Sequence, residues 1–486
     1  MWESWLYAAL IVVGLVILDR VFPFGGRGVP RFPGPKPYPI VGNVIPPKRI
    51  WVQLAALSRK HGPIFSLRIF RTPMLVINNV AVAREILDSK SGTYWSRPFP
   101  KMIELAGMVR GVLFEPDAGR LRQARKMLNL ILHPRQLENF HSVVEHHVMK
   151  LLGNLLRTPE DFIQHLRSVP AGITLEVAYG YKVQGNHDPL KVALPRLTEL
   201  QWRISRLPSR MGFKREALSW RDQYTELAER GYHRVQDEIK KGIATPSLVS
   251  KVIMGSEEYP EDLLMYTAAQ VVTGGADTSV SSLMTLFLTM TMHQDIQRKA
   301  HAEIDRVIGR DRLPQYDDRA NLPYTQAILA EMVRCFPSVA MVTRSPSKED
   351  IHDGFHVAKN TFIIVNIWAM LHDETVFPEP EVFNPERWLS KDADSMPSPW
   401  DIAFGFGRRV CPGRHLGEEF LFMTVACTLA TFDILPVRGA DGEFIMPSGE
   451  YTDGASHRAA FRFPSNATLP RSKHAEELIA QALNMD

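Results

Sequence analysis

The sequence FGFGRRVCPG, from Phe404 to Gly413, places three glycines and a proline around one cysteine, Cys411. Glycine and proline at this density predict a tight loop, which exposes backbone N–H groups toward the sulfur and lets a flat ligand approach closely. The apolar stretch from Leu421 to Ala430 follows and predicts a helix. Cys411 therefore stands just before a helix N-terminus, where the helix dipole and the loop donors favour the thiolate.

A lone thiolate of this kind suits a metal whose other ligands come from elsewhere, as with haem iron. The alternative is a buried cysteine that packs as a small apolar side chain, and Cys411 considered by itself favours that alternative. Cys335 and Cys427 lie in apolar helical stretches, where core packing explains them. Three cysteines in 486 residues allow no disulfide framework, and no two have zinc-site spacing, which indicates a reducing compartment.

A second pattern lies between Pro323 and Phe336, which predicts a helix with Glu331 inside its apolar stripe. A carboxylate there would be buried, and burial costs several kcal/mol unless the charge is paired. Arg334, three residues later, and another cation are therefore expected to satisfy it. An exposed Glu–Arg pair is the usual meaning of such spacing when it occurs alone.

A third pattern lies in the stretch from Leu263 to Met292, which is apolar nearly all round and predicts an interior helix. It contains GGADTS, from Gly274 to Ser279, and mid-helix glycines cost roughly 1 kcal/mol each relative to alanine. Gly274 and Thr278 share a face, with Asp277 beside them. Such a groove could hold a diatomic ligand and a water, and the two polar side chains could relay protons. A packing glycine pair explains the helix alone equally well.

Together the three patterns resemble the cytochrome P450 family. The loop matches F-x-x-G-x-R-x-C-x-G at all its fixed positions, the helix matches A/G-G-x-D/E-T, and Glu331-x-x-Arg334 precedes FNPERW at 383–388. The likeness covers essentially the whole chain. It implies a mainly α fold with a smaller β portion, in a single large catalytic domain behind an N-terminal membrane anchor.

The resemblance also implies residue roles. Cys411 would be the axial ligand of the iron in haem b, iron protoporphyrin IX, held in the loop that includes Phe404 and Gly413. Thr278 and Asp277 would supply protons. The remaining expected roles are propionate binding by Arg125, Arg344 and Arg409, and a buried structural triad of Glu331, Arg334 and Arg387. One departure concerns Arg125, because the family has tryptophan four residues before this arginine and the chain has Leu121.

The N-terminus begins with an apolar run from Trp5 to Leu18. As a helix it reaches only ~21 Å of a ~30 Å hydrocarbon core unless Met1 and 21–24 are included. A signal peptide and a buried helix are alternatives, but the acidic start and the sequence after the run favour an uncleaved anchor. The predicted organisation is an anchor over 1–24, a proline-rich linker over 25–44 and a catalytic domain over 45–486. Basic residues after the run predict a cytoplasmic domain on the endoplasmic reticulum membrane.

Charge and composition limit the partners. With 57 Lys+Arg against 53 Asp+Glu, the net charge of +4 gives no reason to expect nucleic acid. The resemblance implies O2, an apolar small-molecule substrate and electrons from NADPH-cytochrome P450 reductase, one oxygen atom entering the substrate. Basic residues that could dock an acidic reductase are Arg122, Lys126, Arg408 and Arg414.

The expected pocket stretches are 99–114, 194–211, the helix before Gly274, 339–343 and 452–456, and several are rich in apolar residues. These stretches indicate an apolar ligand without naming it. The chain as a whole resembles fungal enzymes that oxidise terpenoid, polyketide or indole metabolites, and this resemblance implies the substrate class. Two alternatives stay open: a haem-thiolate isomerase or dehydratase that needs no reductase, and a non-catalytic haem sensor or carrier. The first tends to lose the threonine that this chain keeps, and the second gives no reason for the polar motif at 274–279.

Local patterns predict several further elements. Residues 65–70 and 74–78 predict a hairpin, and the proline-free stretch from Glu261 to Leu313 predicts one or two long helices. Strand signals occur at 361–367, 432–436 and 459–463. His141, His146 and His147 lie in a polar helical stretch and are expected at the surface.

Overall fold

The computed structural model describes residues 30, 32–70, 72–98, 101–183, 213–452 and 466–484. The predicted membrane anchor over 1–24, the strand signal at 459–463 and the pocket stretch 194–211 lie outside these residues. So do parts of the predicted linker and of the pocket stretch 452–456.

Helices make up most of the described chain, which confirms a mainly α fold with a smaller β portion. In chain order the α-helices are α1 Ile50–His61, α2 Val80–Arg84, α3 Lys101–Leu105, α4 Ala118–Leu132, α5 Pro134–Leu137, α6 His141–Arg157, α7 Phe162–Tyr179, α8 Phe213–Lys240, α9 Leu248–Ile253, α10 Glu261–Met292, α11 Gln294–Val307, α12 Pro323–Cys335, α13 Ile367–Leu371, α14 Pro399–Ala403, α15 Arg414–Thr431 and α16 Lys473–Asn484. A π-helical turn covers Glu85–Ser89, and 3₁₀ turns cover Met108–Arg110, Glu138–Phe140, Pro159–Asp161, Tyr316–Asn321, Pro385–Leu389, Ala393–Ser395 and Gly407–Arg409.

The strands form three small sheets. In chain order they are β1 Ile64–Ile69, β2 Thr72–Ile77, β3 Met341–Arg344, β4 Asp350–His352, β5 Phe355–Val357, β6 Phe362–Asn366, β7 Phe432–Arg438, β8 Phe444–Ile445 and β9 Asn466–Pro470. The sheet orders are β1-β2-β6-β3, β4-β5 and β8-β7-β9. The predicted hairpin is confirmed as β1 and β2, and two of the strand signals are confirmed as β6 and β7.

The described chain divides into two compact units. The first contains the chain up to Pro98, then Ala340–Thr375 and Gly405–Val410. Its four-stranded sheet packs on α1 through a small core of Leu54, Phe65, Leu67, Val76 and Ile364. Asn366, at the end of β6, is fully buried and donates to the Trp51 carbonyl and to Asn78 Oδ1, each at 2.8 Å. These bonds satisfy a buried amide and fix the sheet to its helix.

The second unit contains Phe99–Val339, Val376–Phe404 and the chain from Cys411 onward. Its large apolar core surrounds α10, which packs against α4, α7, α8 and α15. Pro260 precedes this helix, and Glu261 and Asp262 occupy its first turn, where acidic side chains complement the helix dipole. Among the described helices α10 is long and apolar enough to cross a membrane, but half of that apolar window is buried inside the protein. This burial fits the predicted interior helix.

The prediction of surface exposure is wrong for His147. This side chain is buried, and its Nε2 lies 2.8 Å from Glu176 Oε1 of α7. A glycine makes the room, because a Cβ at Gly172 would lie 2.1 Å from the His147 ring. His141 is half-buried and stacks on Tyr316 with ring centroids 3.7 Å apart. Neither contact could be predicted from the polar sequence of α6, because the partners Glu176 and Tyr316 lie on other elements.

Candidate haem site

The cysteine loop begins with a tight turn that requires glycine. Gly405 and Gly407 have φ values of 80° and 63°, a left-handed conformation that other residues rarely adopt. A Cβ at Gly407 would lie 2.1 Å from the Leu87 carbonyl oxygen. The Gly407 N–H also donates to Asp88 Oδ1 at 2.6 Å. The π-helical turn Glu85–Ser89 therefore holds the start of the loop at close range.

Cys411 follows this turn, three residues before α15. Its backbone N–H donates to the Phe404 carbonyl at 2.9 Å, which closes the loop. The Cys411 side chain is exposed, whereas Cys335 and Cys427 are buried. Burial raises the pKa of both buried thiols, that of Cys335 well above its usual range, so they stay protonated. Cys411 is the cysteine whose sulfur a metal can reach, and in this respect the loop fits a haem thiolate.

Two of the arginines expected at the propionates belong to the first unit and are buried. Arg344 is 1% exposed, and its Nη1 donates to the Thr343 carbonyl at 2.9 Å. Arg409 is 6% exposed, donates from Nε to the Trp95 carbonyl at 2.9 Å and lies over the Trp95 ring. These bonds to carbonyl oxygens hold both guanidinium groups in position. Buried cations of this kind fit a group that carries carboxylates.

Arg125 lies in the second unit on α4. It is half-buried, and burial lowers its pKa, while its attraction to the Cys411 thiolate acts in the opposite direction. Arg125 and Cys411 are thus electrostatic neighbours. Leu121, where the family has tryptophan, is 4% exposed and packs in the core. Its side chain offers no hydrogen-bond donor to a propionate.

The acidic residue of α12 lies at the centre of a buried polar cluster. Glu331 accepts two bonds from Arg334, at 2.9 and 2.8 Å, and one from Arg387 Nε at 3.4 Å. Trp388 Nε1 donates to the same carboxylate at 2.9 Å, and the Asn384 N–H donates at 3.0 Å. Glu331 and Arg334 are both 0% exposed. Asn384 and Trp388 belong to the FNPERW pattern, but that pattern alone does not identify them as partners of Glu331.

The two glycines of α10, Gly274 and Gly275, have different surroundings. Gly274 is exposed, and no atom of the described residues lies within 4 Å of the position that its Cβ would take. Gly275 faces α7 instead, because its Cβ would lie 2.7 Å from Thr174 Cγ2. Thr278 is half-buried and donates from Oγ1 to the Gly274 carbonyl at 2.9 Å. The helix thus presents a hydroxyl beside open space, with the half-buried Asp277 adjacent.

Two serines hold the backbone at this position. Ser338 Oγ donates to the Thr278 carbonyl at 3.2 Å and lies 3.2 Å from Ser282 Oγ. Ser282 Oγ also reaches the Thr278 carbonyl, at 3.3 Å. The chain after α12 is therefore tied to the helix at Thr278. Sequence reasoning missed Ser338, since nothing in the local pattern around it indicates a partner 60 residues away.

Of the four basic residues considered for reductase docking, two are already paired. Arg414 binds Asp401 at 2.6 Å and Glu418 at 2.7 Å, and Lys126 binds Glu257 at 2.6 Å. Arg122 and Arg408 are exposed. The docking hypothesis accordingly rests more on the latter two.

Comparison with known proteins identifies one family. A family model described as Cytochrome P450 matches residues 32–452. Cytochrome P450 monooxygenase 208 of Postia placenta is 34% identical, and the alignment covers 97% of this chain and 96% of that protein. Cytochrome P450 monooxygenase ppsD of Aspergillus oryzae is 34% identical over 89% of this chain and 88% of its own length. Cytochrome P450 monooxygenase claR of Ampulloclitocybe clavipes is 31% identical, and the alignment covers 96% of this chain and 92% of that protein.

Solved structures agree on the fold. A zebra fish cytochrome P450 with progesterone superimposes with a TM-score of 0.75 at 21% identity, covering 88% of this chain and 100% of that one. A second structure of a zebra fish cytochrome P450, with abiraterone, gives a TM-score of 0.73 at 22% identity, covering 87% of this chain and all of that one.

Proposed function

Because the chain belongs to the cytochrome P450 family of monooxygenases, we propose that it inserts one oxygen atom from O2 into an apolar secondary metabolite. Members of the family use a haem-thiolate cofactor, a small-molecule substrate, O2 and a redox partner. The observation that carries the proposal is that the Cys411 thiol, in a loop rich in glycine, is exposed. The thiols of Cys335 and Cys427 are buried.

The proposed cofactor is haem b, which when bound supplies the activation of O2. In this proposal Cys411 Sγ ligates the iron, and the loop from Phe404 to Gly413 keeps that sulfur in place. Arg344 and Arg409 bind the propionates, because both are buried and a guanidinium group can bind a carboxylate through two parallel N–H donors. Arg125, on α4, is the third arginine proposed to bind a propionate, and it is also attracted to the Cys411 thiolate.

Thr278 and Asp277 are proposed to deliver protons. Thr278 Oγ1 holds a proton that it now shares with the Gly274 carbonyl, next to open space. A rotation of that hydroxyl would present the proton to a bound molecule, and the neighbouring Asp277 carboxyl would replace it. Glu331, Arg334 and Arg387 are proposed to maintain the fold that retains haem, with no part in the reaction.

The substrate class is proposed from the apolar character of the described pocket stretches and from the relatives, which are fungal monooxygenases. A terpenoid, polyketide or indole skeleton fits such a pocket. The proposed electron donor is NADPH-cytochrome P450 reductase, with the first 24 residues as the anchor in the endoplasmic reticulum membrane.

The class is tested by the carbon monoxide difference spectrum of the reduced protein. We expect the red-shifted band of a thiolate-ligated haem in the wild type and its loss in Cys411→Ser. Cys427→Ser is the matched control, since that buried thiol donates to the Pro314 carbonyl and to no other described residue. A pigment whose spectrum survives Cys411→Ser would exclude the proposed ligand.

Thr278→Ala tests the proton role. With a supplied reductase and an accepted substrate, we expect NADPH and O2 consumption to continue while product per NADPH falls about 10-fold or more, as general acid catalysis of 10²–10⁴-fold implies. Thr278→Ser should retain most of the coupling. Unchanged coupling in the alanine variant contradicts the role. Product formation without NADPH would favour an isomerase or dehydratase, and haem binding without any turnover would favour a sensor or carrier.

A further inference from the structure

Gln270 lies on α10 one helical turn before Gly274, and its side chain is anchored at one end only. The Leu113 N–H donates to Gln270 Oε1 at 2.6 Å. This bond also identifies which end of the amide is oxygen, because a backbone N–H can only donate. The loop comes close on this side, since a Cβ at Gly111 would lie 2.7 Å from the same oxygen and 2.8 Å from the Tyr224 hydroxyl.

The other end of the amide is a hydrogen-bond donor without a partner among the described residues. Gln270 is 9% exposed, yet its Nε2 donates to none of them and protein atoms do not fully enclose it. A buried amide NH2 is costly unless a bond is made, so such a group normally has an acceptor. The next turn of the same face carries the exposed Gly274, and within the part of the chain that the structure describes no atom lies within 4 Å of its Cβ position.

We propose that Gln270 Nε2 donates a hydrogen bond to an oxygen atom of the substrate, and that the substrate is therefore an apolar molecule bearing a carbonyl or hydroxyl group. This inference rests on the proposed function. Gln270 and Thr278 are eight residues apart, roughly 12 Å along the helix axis. The accepting oxygen and the carbon to be oxidised would lie toward opposite ends of the molecule. Because Leu113 fixes the amide, Gln270 acts as a specificity-determining residue that is oriented before the substrate arrives.

Three variants separate the donor from the loop contact. Gln270→Met removes both ends of the amide at similar length. Gln270→Glu keeps an oxygen for the Leu113 N–H and replaces the donor by a second oxygen. Thr267→Val is the control on the same helix, because the buried Thr267 hydroxyl has no partner among the described residues and valine has its shape.

The measurement is calorimetric titration of the haem-loaded, full-length protein at pH 8 with two matched pairs: the ketone nootkatone with the hydrocarbon valencene, and carvone with limonene. For at least one pair, we expect the ratio of hydrocarbon Kd to ketone Kd to fall about fivefold in both Gln270 variants and to stay unchanged in Thr267→Val. Comparing this ratio between the wild type and each variant cancels the difference in solvation between the two ligands.

Two results would overturn the proposal. If the ratios match the wild type in both Gln270 variants for both pairs, the amide bonds only water. If Gln270→Met lowers the ratio but Gln270→Glu does not, the loop contact is responsible. Because the titration needs neither electrons nor turnover, its failure is distinct from failure of the carbon monoxide and coupling tests.

Discussion

At the scale of single residues, the two glycines of α10 are required for different reasons. Gly275 is needed for packing, because the methyl group of Thr174 occupies the space of a side chain. That methyl cannot easily turn aside, since Thr174 Oγ1 is bonded to the Pro170 and Ala171 carbonyls. At Gly274 no described residue occupies the space of a side chain, so packing does not require glycine there.

We therefore expect alanine at the two positions to have opposite effects on stability. Gly274→Ala should raise the free energy of unfolding by about 1 kcal/mol, the gain in helix propensity. Gly275→Ala should lower it by about 1 kcal/mol, because overpacking of 1–3 kcal/mol exceeds that gain. Urea unfolding midpoints measure both. Adding Thr174→Ser, which removes only the methyl group, should rescue Gly275→Ala, and equal stability of the two alanine variants would contradict the argument.

Replacing Glu331 should lower the free energy of unfolding more than either glycine substitution. Glu331→Gln leaves the buried Arg334 and Arg387 without a counter-charge, which we expect to destabilise the fold by roughly 3–5 kcal/mol. Glu386→Gln is the control, since its partner Lys299 is exposed and such pairs contribute about 1 kcal/mol or less. Thermal unfolding and haem content per protein are the readouts. Similar losses in the two variants would show that burial of the cluster is not decisive.

At the scale of elements, contacts between helices carry information that single stretches of sequence lack. His301 on α11 is buried, and burial lowers its pKa to about 4, with Arg471 acting in the same direction and Asp305 opposing. Its Nδ1 lies 3.6 Å from Asp433 at the start of β7. The ring is consequently neutral in the folded protein at neutral pH.

This histidine predicts a pH dependence of stability. Below its ordinary value near 6.5, the unfolded chain binds a proton that the folded chain does not take up until about pH 4. The free energy of unfolding should therefore fall as the pH drops from 6.5 to 4, by roughly 3 kcal/mol from this group, and stay level above. His301→Gln should flatten that part of the profile in denaturant titrations. Parallel profiles for wild type and variant would exclude His301 as the cause.

The elements that could be predicted are those with local causes. Arg71, Thr72 and Pro73 interrupt two β-rich runs and so mark the hairpin, and Pro260 marks the start of α10. The parallel pairing of β2 with β6 was not predictable, because Val76 meets Ile364 only after almost three hundred intervening residues. The same holds at the site. Motifs marked Cys411 and Thr278, whose roles stay predictions, but Trp95, Ser338 and Gln270 depend on partners elsewhere in the chain.

At the scale of the whole molecule, the proposed anchor makes a separate prediction. Deleting residues 1–24 should move the protein from the membrane to the soluble fraction, because the apolar run from Trp5 to Leu18 is lost. The carbon monoxide spectrum per mole of protein should be unchanged. Leu10→Lys with Val13→Lys should act like the deletion, since each charge costs about 2.5–3.5 kcal/mol in a bilayer centre. If both variants stay in the membrane fraction, a surface other than residues 1–24 attaches the protein to the membrane.

The first compact unit is assembled from three separated stretches of chain, the last of them Gly405–Val410. A ribosome that has just released β1 and β2 must still translate roughly 300 residues before that stretch emerges, which takes about 15–60 s at 5–20 residues per second. Until β6 emerges, somewhat earlier than that stretch, the edge of β2 that β6 will cover has no partner and can pair with other nascent chains. Slower translation would lengthen this exposed interval. Recombinant yield should accordingly respond more to chaperone supply during synthesis than to the stability of the finished protein.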